Sequence, residues 1–249
     1  MNDWSNTYIA ALFAFLAGHD PYSYVKIFGS PPYTLLFLLP LGWIPPQWAI
    51  ALPAIALFYL AYRFRSPWLI LIVGSSFPFI ASSAYANIDW MIMIGVAIGG
   101  RLGIVLDTLK PQAGLFAIVA ELAKAEDFKQ RVRLLIPLAI LLAISTPLLI
   151  SWLNYLFIVG HMNDGIRNFS LFPYSIPIGL VAIVLAWRQK EPIWGCVASL
   201  ALSPYFYINS ALPLIFLLAK KDWRLGVAAN LFTWAIVFLI VRGYIPIKL

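Results

Sequence analysis

Asp107-Thr108-Leu109-Lys110-Pro111-Gln112 places a carboxylate, an ammonium and a helix-breaking proline inside an apolar run, residues 91–120, otherwise interrupted only by Arg101. Charged groups at hydrocarbon depth are costly, and they mark functional sites facing a protein interior or a wet cavity. An ammonium there needs an anion. Lys110 has two candidates: Asp107, three residues back and within reach along a helix, or an external group such as a phosphate. Other polar residues stand out against the same apolar background. Asp3 and Asp20 are carboxylates near the N-terminus, Asn87 and Asp89 form a polar turn, and Asn168 and Ser170 sit in a polar loop at 161–170. Asp20 precedes Pro21, an ordinary turn signal, and Asn168 or Ser170 can equally cap a following helix. His19 and His161 are not spaced as metal ligands, so no metal site is expected.

The elements that must position these residues are membrane helices. The chain is 62% apolar and 11% charged over 249 residues, far from the roughly 45–50% and 25% of soluble domains. Strand-type alternation is absent. The fold class expected is all-α, a polytopic helical membrane protein forming a single integral membrane domain over 1–249. Within it, 1–29 is a juxtamembrane segment and 30–249 the helical bundle. A short N-terminal helix at 8–18 is expected at the interface or against the bundle, stopped by Gly18 and Asp20-Pro21. About ten apolar segments follow, several only 11–15 residues long, below the roughly 20 needed to cross unaided. Such short or proline-broken helices need partner helices or a water-filled cavity to satisfy their freed backbone groups. The stretch 134–159 reads as the one long uninterrupted span.

The net charge of +7 reports loops rather than a nucleic-acid footprint, and no nucleic-acid partner is expected. Twelve of the 17 basic residues fall in turns assignable to one face, from Arg63 and Arg65 through Arg101 and 124–133 to Lys220–Arg224. The positive-inside rule makes that face cytoplasmic. Lys110 then tips a hairpin, rising over 102–110 and returning over 111–123, toward the outside with Asn87, Asp89 and the 161–170 loop. Charge counting leaves the side of the N-terminal segment open. It lies opposite Lys110 if 33–44 crosses the membrane and beside it if 33–44 only re-enters. Cys196 reads as a small core residue.

Taken in order, these features resemble the GT-C superfamily of polyprenyl-phosphate-sugar-dependent glycosyltransferases, family 87 in particular, which includes bacterial mannosyltransferases. The residues that carry the resemblance are Asp3-Trp4 with Tyr8, Gly18-His19-Asp20-Pro21-Tyr22, Ser30-Pro31-Pro32-Tyr33, and Pro40-Leu41-Gly42-Trp43-Ile44-Pro45. Asn87-Ile88-Asp89, Lys110-Pro111-Gln112, Asn168-Phe169-Ser170-Leu171 and Ser203-Pro204 complete the set. The chain departs from the family in having Ala86 where a glycine is usual, Ser30 and Tyr33 in place of Tyr and Leu, no helix ahead of Asp3, and a shorter length.

The resemblance implies an inverting transfer of a hexose, mannose-like, from a polyprenyl-phosphate donor to an acceptor hydroxyl on the extracytoplasmic side of a bacterial or archaeal plasma membrane. It implies Asp3, or alternatively Asp20, as the base, with Lys110, Gln112, Asn87, Asp89, Asn168, Ser170 and Tyr22 binding substrate. No cofactor is implied beyond the donor itself, and the partners are membrane lipids and the lipid-linked sugar. The shorter length also fits a non-catalytic subunit bound to other membrane chains. The broken helices and buried charge fit a small transporter, though no two-fold repeat is visible.

Overall fold

The computed structural model describes residues 3–25, 28–161 and 168–244. It is 76% helical, with no strand among the described residues. The all-α expectation holds. One helix, Trp223–Val241, is long and apolar enough to cross a membrane, at 19 residues and mean hydropathy 1.9. Two further pairs pass the same test only together, Thr34–Leu41 with Pro46–Arg63 and Phe128–Ile144 with Thr146–Leu156, each bent sharply at its junction. Elements of spanning length therefore number one to three among the described residues. Other expected segments are shorter apolar helices, such as Asp89–Ile98, Ile176–Gln189 and Pro192–Leu202.

The N-terminal helix begins earlier than the sequence suggests. It runs over Trp4–Leu16, π-wound over Trp4–Ile9 and α-helical over Ala10–Leu16. Trp4, Tyr8, Ala11 and Leu12 are buried, while Phe13 and Leu16 are exposed. Residues at i, i+4, i+7 and i+8 share one helical face, so this stripe packs against the bundle, the second of the two placements expected. Trp4 also donates its indole N–H to the Ile44 carbonyl at 3.1 Å. Gly18, at φ +77°, ends the element.

The stretch 134–159 is not uninterrupted. Phe128–Ile144 and Thr146–Leu156 meet at 88°. Pro147 lies one residue into the second helix, and a proline has no N–H to give the preceding turn and crowds its carbonyls. Thr146 adds to the break by turning its hydroxyl back onto the Ala143 carbonyl at 2.8 Å.

The predicted hairpin is present. Gly100–Thr108 rises, Lys110 turns the chain, and Pro111–Gly114 and Ala117–Lys124 bring it back. Near the base of the hairpin the Gly100 N–H donates to the Glu121 carboxylate at 2.9 Å. Asp89–Ile98 packs alongside, and Gly95 and Gly103 set how closely. A Cβ on Gly103 would lie 2.7 Å from the Gly95 carbonyl oxygen, and one on Gly95 would lie 2.4 Å from Asp107 Oδ1. Both contacts are shorter than any side chain tolerates, so the glycines let these helices touch. One contiguous core reaches from Trp4 and Tyr8 through Ile88, Ile92 and Met93 to Leu109, Leu212 and Phe216.

Candidate functional site

The hairpin tip delivers Lys110 into a closed polar cluster. Its ammonium stands 2.8 Å from Asp89 Oδ1, 2.9 Å from Asp89 Oδ2 and 3.1 Å from Asn87 Oδ1. Asn209 donates to Asp89 Oδ2 at 2.8 Å. The Asn87 carbonyl oxygen also accepts from the Tyr8 hydroxyl at 2.9 Å and from the Ile88 N–H at 2.8 Å. Three donors on that oxygen fix which way the amide points. Its NH₂ is thereby aimed at Asp3, donating to Oδ2 at 2.8 Å. Asp3 is anchored in turn by its own N–H on the Tyr85 carbonyl at 2.8 Å. Lys110 is 5% exposed and Asp89 0%, so this ion pair is sealed from bulk water.

The local sequence explains the convergence. Phe77–Ala84 ends on Tyr85, and Ala86 adopts φ +48°. That left-handed turn reverses the chain and sends Asn87 and Asp89 inward. It is strained for any residue with a Cβ, and it falls at the position where the resembled motif carries glycine. Lys110 leaves the helix at φ −139°, ψ 85°. This rotates its side chain away from Asp107, and of the two candidate partners of Lys110 the Asp107 pair does not form. Asp107 is 1% exposed, and neither of its carboxylate oxygens has a hydrogen-bond partner.

The other residues of the resembled motifs lie outside the cluster. Tyr33 donates to the Thr108 carbonyl at 3.2 Å, tying the Pro31-Pro32 turn to the hairpin. Tyr22 donates to the Ser30 carbonyl at 2.8 Å, and burial pushes its hydroxyl pKa well above the usual phenol value, which keeps it a donor. Asp20 accepts from the Tyr22 N–H at 3.0 Å and caps the Pro21–Tyr24 turn. No bond links it to the cluster, so its role here is a cap. Gln112 is half-buried in the first turn of Pro111–Gly114.

Asn168 and Ser170 do not cap the next helix, whose N-cap is Ser175. They brace the 203–206 turn instead: Asn168 accepts from the Phe206 N–H at 3.1 Å and donates to the Pro204 carbonyl at 3.2 Å. That turn leads directly into Ile208–Ala211, which carries Asn209. Residues 162–167 of the expected polar loop lie outside the described residues.

Sequence reasoning missed Asn209. It stands with Ser210 in an otherwise apolar stretch, and a polar pair there was a signal in its own right. The start of the N-terminal segment lies at the same end of the bundle as Lys110, since Asn87 bridges Asp3 and Lys110. Among the described residues no group of three or more His, Cys, Asp or Glu side chains is placed to hold a metal ion. Two surface clefts, one beside Arg101 and one beside Arg63, are lined by no member of the cluster. Comparison with protein-family models, with curated proteins and with solved structures gave no match.

Proposed function

We propose that the chain is a compact membrane glycosyltransferase of the GT-C type, family 87-like, with its short helices completing a polytopic bundle. In this reading it moves a hexose from a polyprenyl-phosphate donor to an acceptor hydroxyl at the end of the bundle that holds Lys110. The observation that carries the proposal is the pairing of Asp3 and Lys110 through the two ends of one amide, Asn87. Asp3 lies 84 positions from Asn87 and Lys110 lies 23 positions from it, and Tyr33 ties its own motif to the same hairpin at the Thr108 carbonyl.

In the transfer, the acceptor oxygen attacks the anomeric carbon as its proton passes to the Asp3 carboxylate. The bond from that carbon to the phosphate oxygen breaks, leaving polyprenyl phosphate with a further negative charge. In the closed cluster Asp89 and Asn87 already hold the Lys110 ammonium through three oxygens, so in this reading the donor opens the cluster and its phosphate takes the place of one of those contacts, where the ammonium offsets charge as it develops. Asn87 holds base and cation at a fixed separation, and Asp89 with Asn209 aims the ammonium.

The test is release of polyprenyl phosphate from a labelled polyprenyl-phosphate mannose, with extracted membranes as the acceptor source. Asp3→Ala abolishes release, and so does Lys110→Met combined with Asp89→Leu, which removes the ammonium without leaving a buried unpaired carboxylate, with folding checked by thermal unfolding; full activity in both variants contradicts the proposal.

One observation favours a second reading, a non-catalytic subunit that keeps the scaffold. Lys110 is already neutralised by Asp89 and buried, which suits a structural staple as well as a ligand. That reading expects no donor turnover by the wild type. It also expects Asp89→Leu with Lys110→Met to leave folding and partner binding intact.

A further inference from the structure

We propose that the cleft at the base of the hairpin, remote from Lys110, binds the phosphate headgroup of an anionic membrane lipid. The Gly100–Thr108 helix has nine residues, about 13 Å of rise, and Arg101 lies at the end away from Lys110. The cleft holds about 390 Å³ and is lined by Arg101, Glu121, Lys124, Gln130, Arg133 and Leu134 among others. That volume is in the range of small-ligand sites, about 300–1,000 Å³.

Its charges do not balance. Glu121 is the one carboxylate in the lining, and both its oxygens are taken: Oε1 by the Lys124 ammonium and Oε2 by the Gly100 N–H at 2.9 Å. The backbone is built around that arrangement. Gly99 and Gly100 both hold positive φ, +62° and +65°, and a Cβ on Gly99 would strike Glu121 Oε2 at 2.7 Å. Arg101 and Arg133 remain, both exposed and in no ion pair among the described residues. Guanidinium groups are permanently charged, and their paired N–H donors match phosphate oxygens.

The surroundings point to a lipid rather than a soluble anion. Phe128–Ile144, which contributes Gln130, Arg133 and Leu134, has no buried residue. Val132, Ile136 and Ile140 are exposed along it, as is Leu102 beside Arg101, giving acyl chains an apolar track next to the cations. Arg131 lies over the Trp187 ring at 5.0 Å, and tryptophans gather at headgroup level. Basic pockets between membrane helices on the basic face recognise acidic headgroups in this way.

The test uses the full chain, stripped of lipid and placed in phosphatidylcholine nanodiscs containing labelled phosphatidylglycerol. The wild type retains phosphatidylglycerol over phosphatidylcholine, and Arg101→Gln with Arg133→Gln weakens that retention about 30-fold. Arg63→Gln with Arg65→Gln, which removes the same charge beside the other cleft, leaves it unchanged. Should the Arg101/Arg133 pair fold poorly, Arg133→Gln alone, at an exposed position, still gives a several-fold loss. Equal loss in the Arg63/Arg65 control would reduce the effect to surface charge and overturn the site. Displacement of the lipid by millimolar inorganic phosphate would make it a free-anion site and overturn the lipid. No preference over phosphatidylcholine would overturn both.

Discussion

At one end of the Gly100–Thr108 helix Lys110 is enclosed with Asp89, and at the other Arg101 faces a cleft whose one carboxylate is already engaged. The difference follows from burial. A sealed ammonium must be matched on the spot, because the desolvation of an unpaired charge is never recovered. A cation at the rim keeps water until a ligand replaces it. The sealed end is accordingly specific in geometry and tolerates few changes, whereas the open end tolerates substitution and reads out through what it binds. Asp107 lies between them and follows neither pattern, being buried without a hydrogen-bond partner.

The largest break in this contrast is Asp89→Ala. It leaves Lys110 buried and uncompensated, at a cost of about 3–5 kcal/mol in unfolding free energy, and Asp89→Leu combined with Lys110→Met recovers most of it. Denaturation of the three proteins in one detergent reads this directly; a loss below 1 kcal/mol for Asp89→Ala would mean water reaches the pair. Asn209→Ala removes a hydrogen bond to a buried carboxylate and costs about 1.5–3 kcal/mol. A neutral result in the same assay would remove Asn209 from the cluster.

Asp107→Asn is expected to go the other way. It replaces a carboxylate that has no partner with a neutral group of the same shape, raising stability by up to about 2 kcal/mol. A loss like that of Asp89→Ala would show that Asp107 has a partner of its own. The smallest effect is at Ala86. Glycine relieves the left-handed strain but gives up a buried methyl, so Ala86→Gly gains at most about 1 kcal/mol, seen as a small rise in Tm with the Asn87 contacts unchanged.

Much of this contrast was legible in the chain, and the misreadings have local causes. Lys110-Pro111 announced the hairpin because a charge and a proline interrupt an apolar run. Of the two candidate partners of Lys110, Asp107 lies at helical spacing, yet the helix ends at Thr108 and Lys110 no longer shares its face. The true partner, Asp89, depends on the turn at Ala86 and on Asn209 arriving from 120 residues away. No periodicity encodes such a contact. Ser145-Thr146-Pro147 carried the signal for the broken span, but hydropathy alone runs straight across it. The start of the N-terminal helix was placed too late because its buried stripe begins at Trp4, ahead of the apolar segment.

The most direct test of the account compares initial rates of polyprenyl phosphate release by the wild type and Asp3→Asn, with thermal unfolding measured on both. The account predicts release by the wild type, a fall of about 10²–10⁴-fold in the variant, as expected for a general base, and matching Tm values. Equal rates in the two proteins, or no release by the wild type from a donor it demonstrably binds, would contradict it.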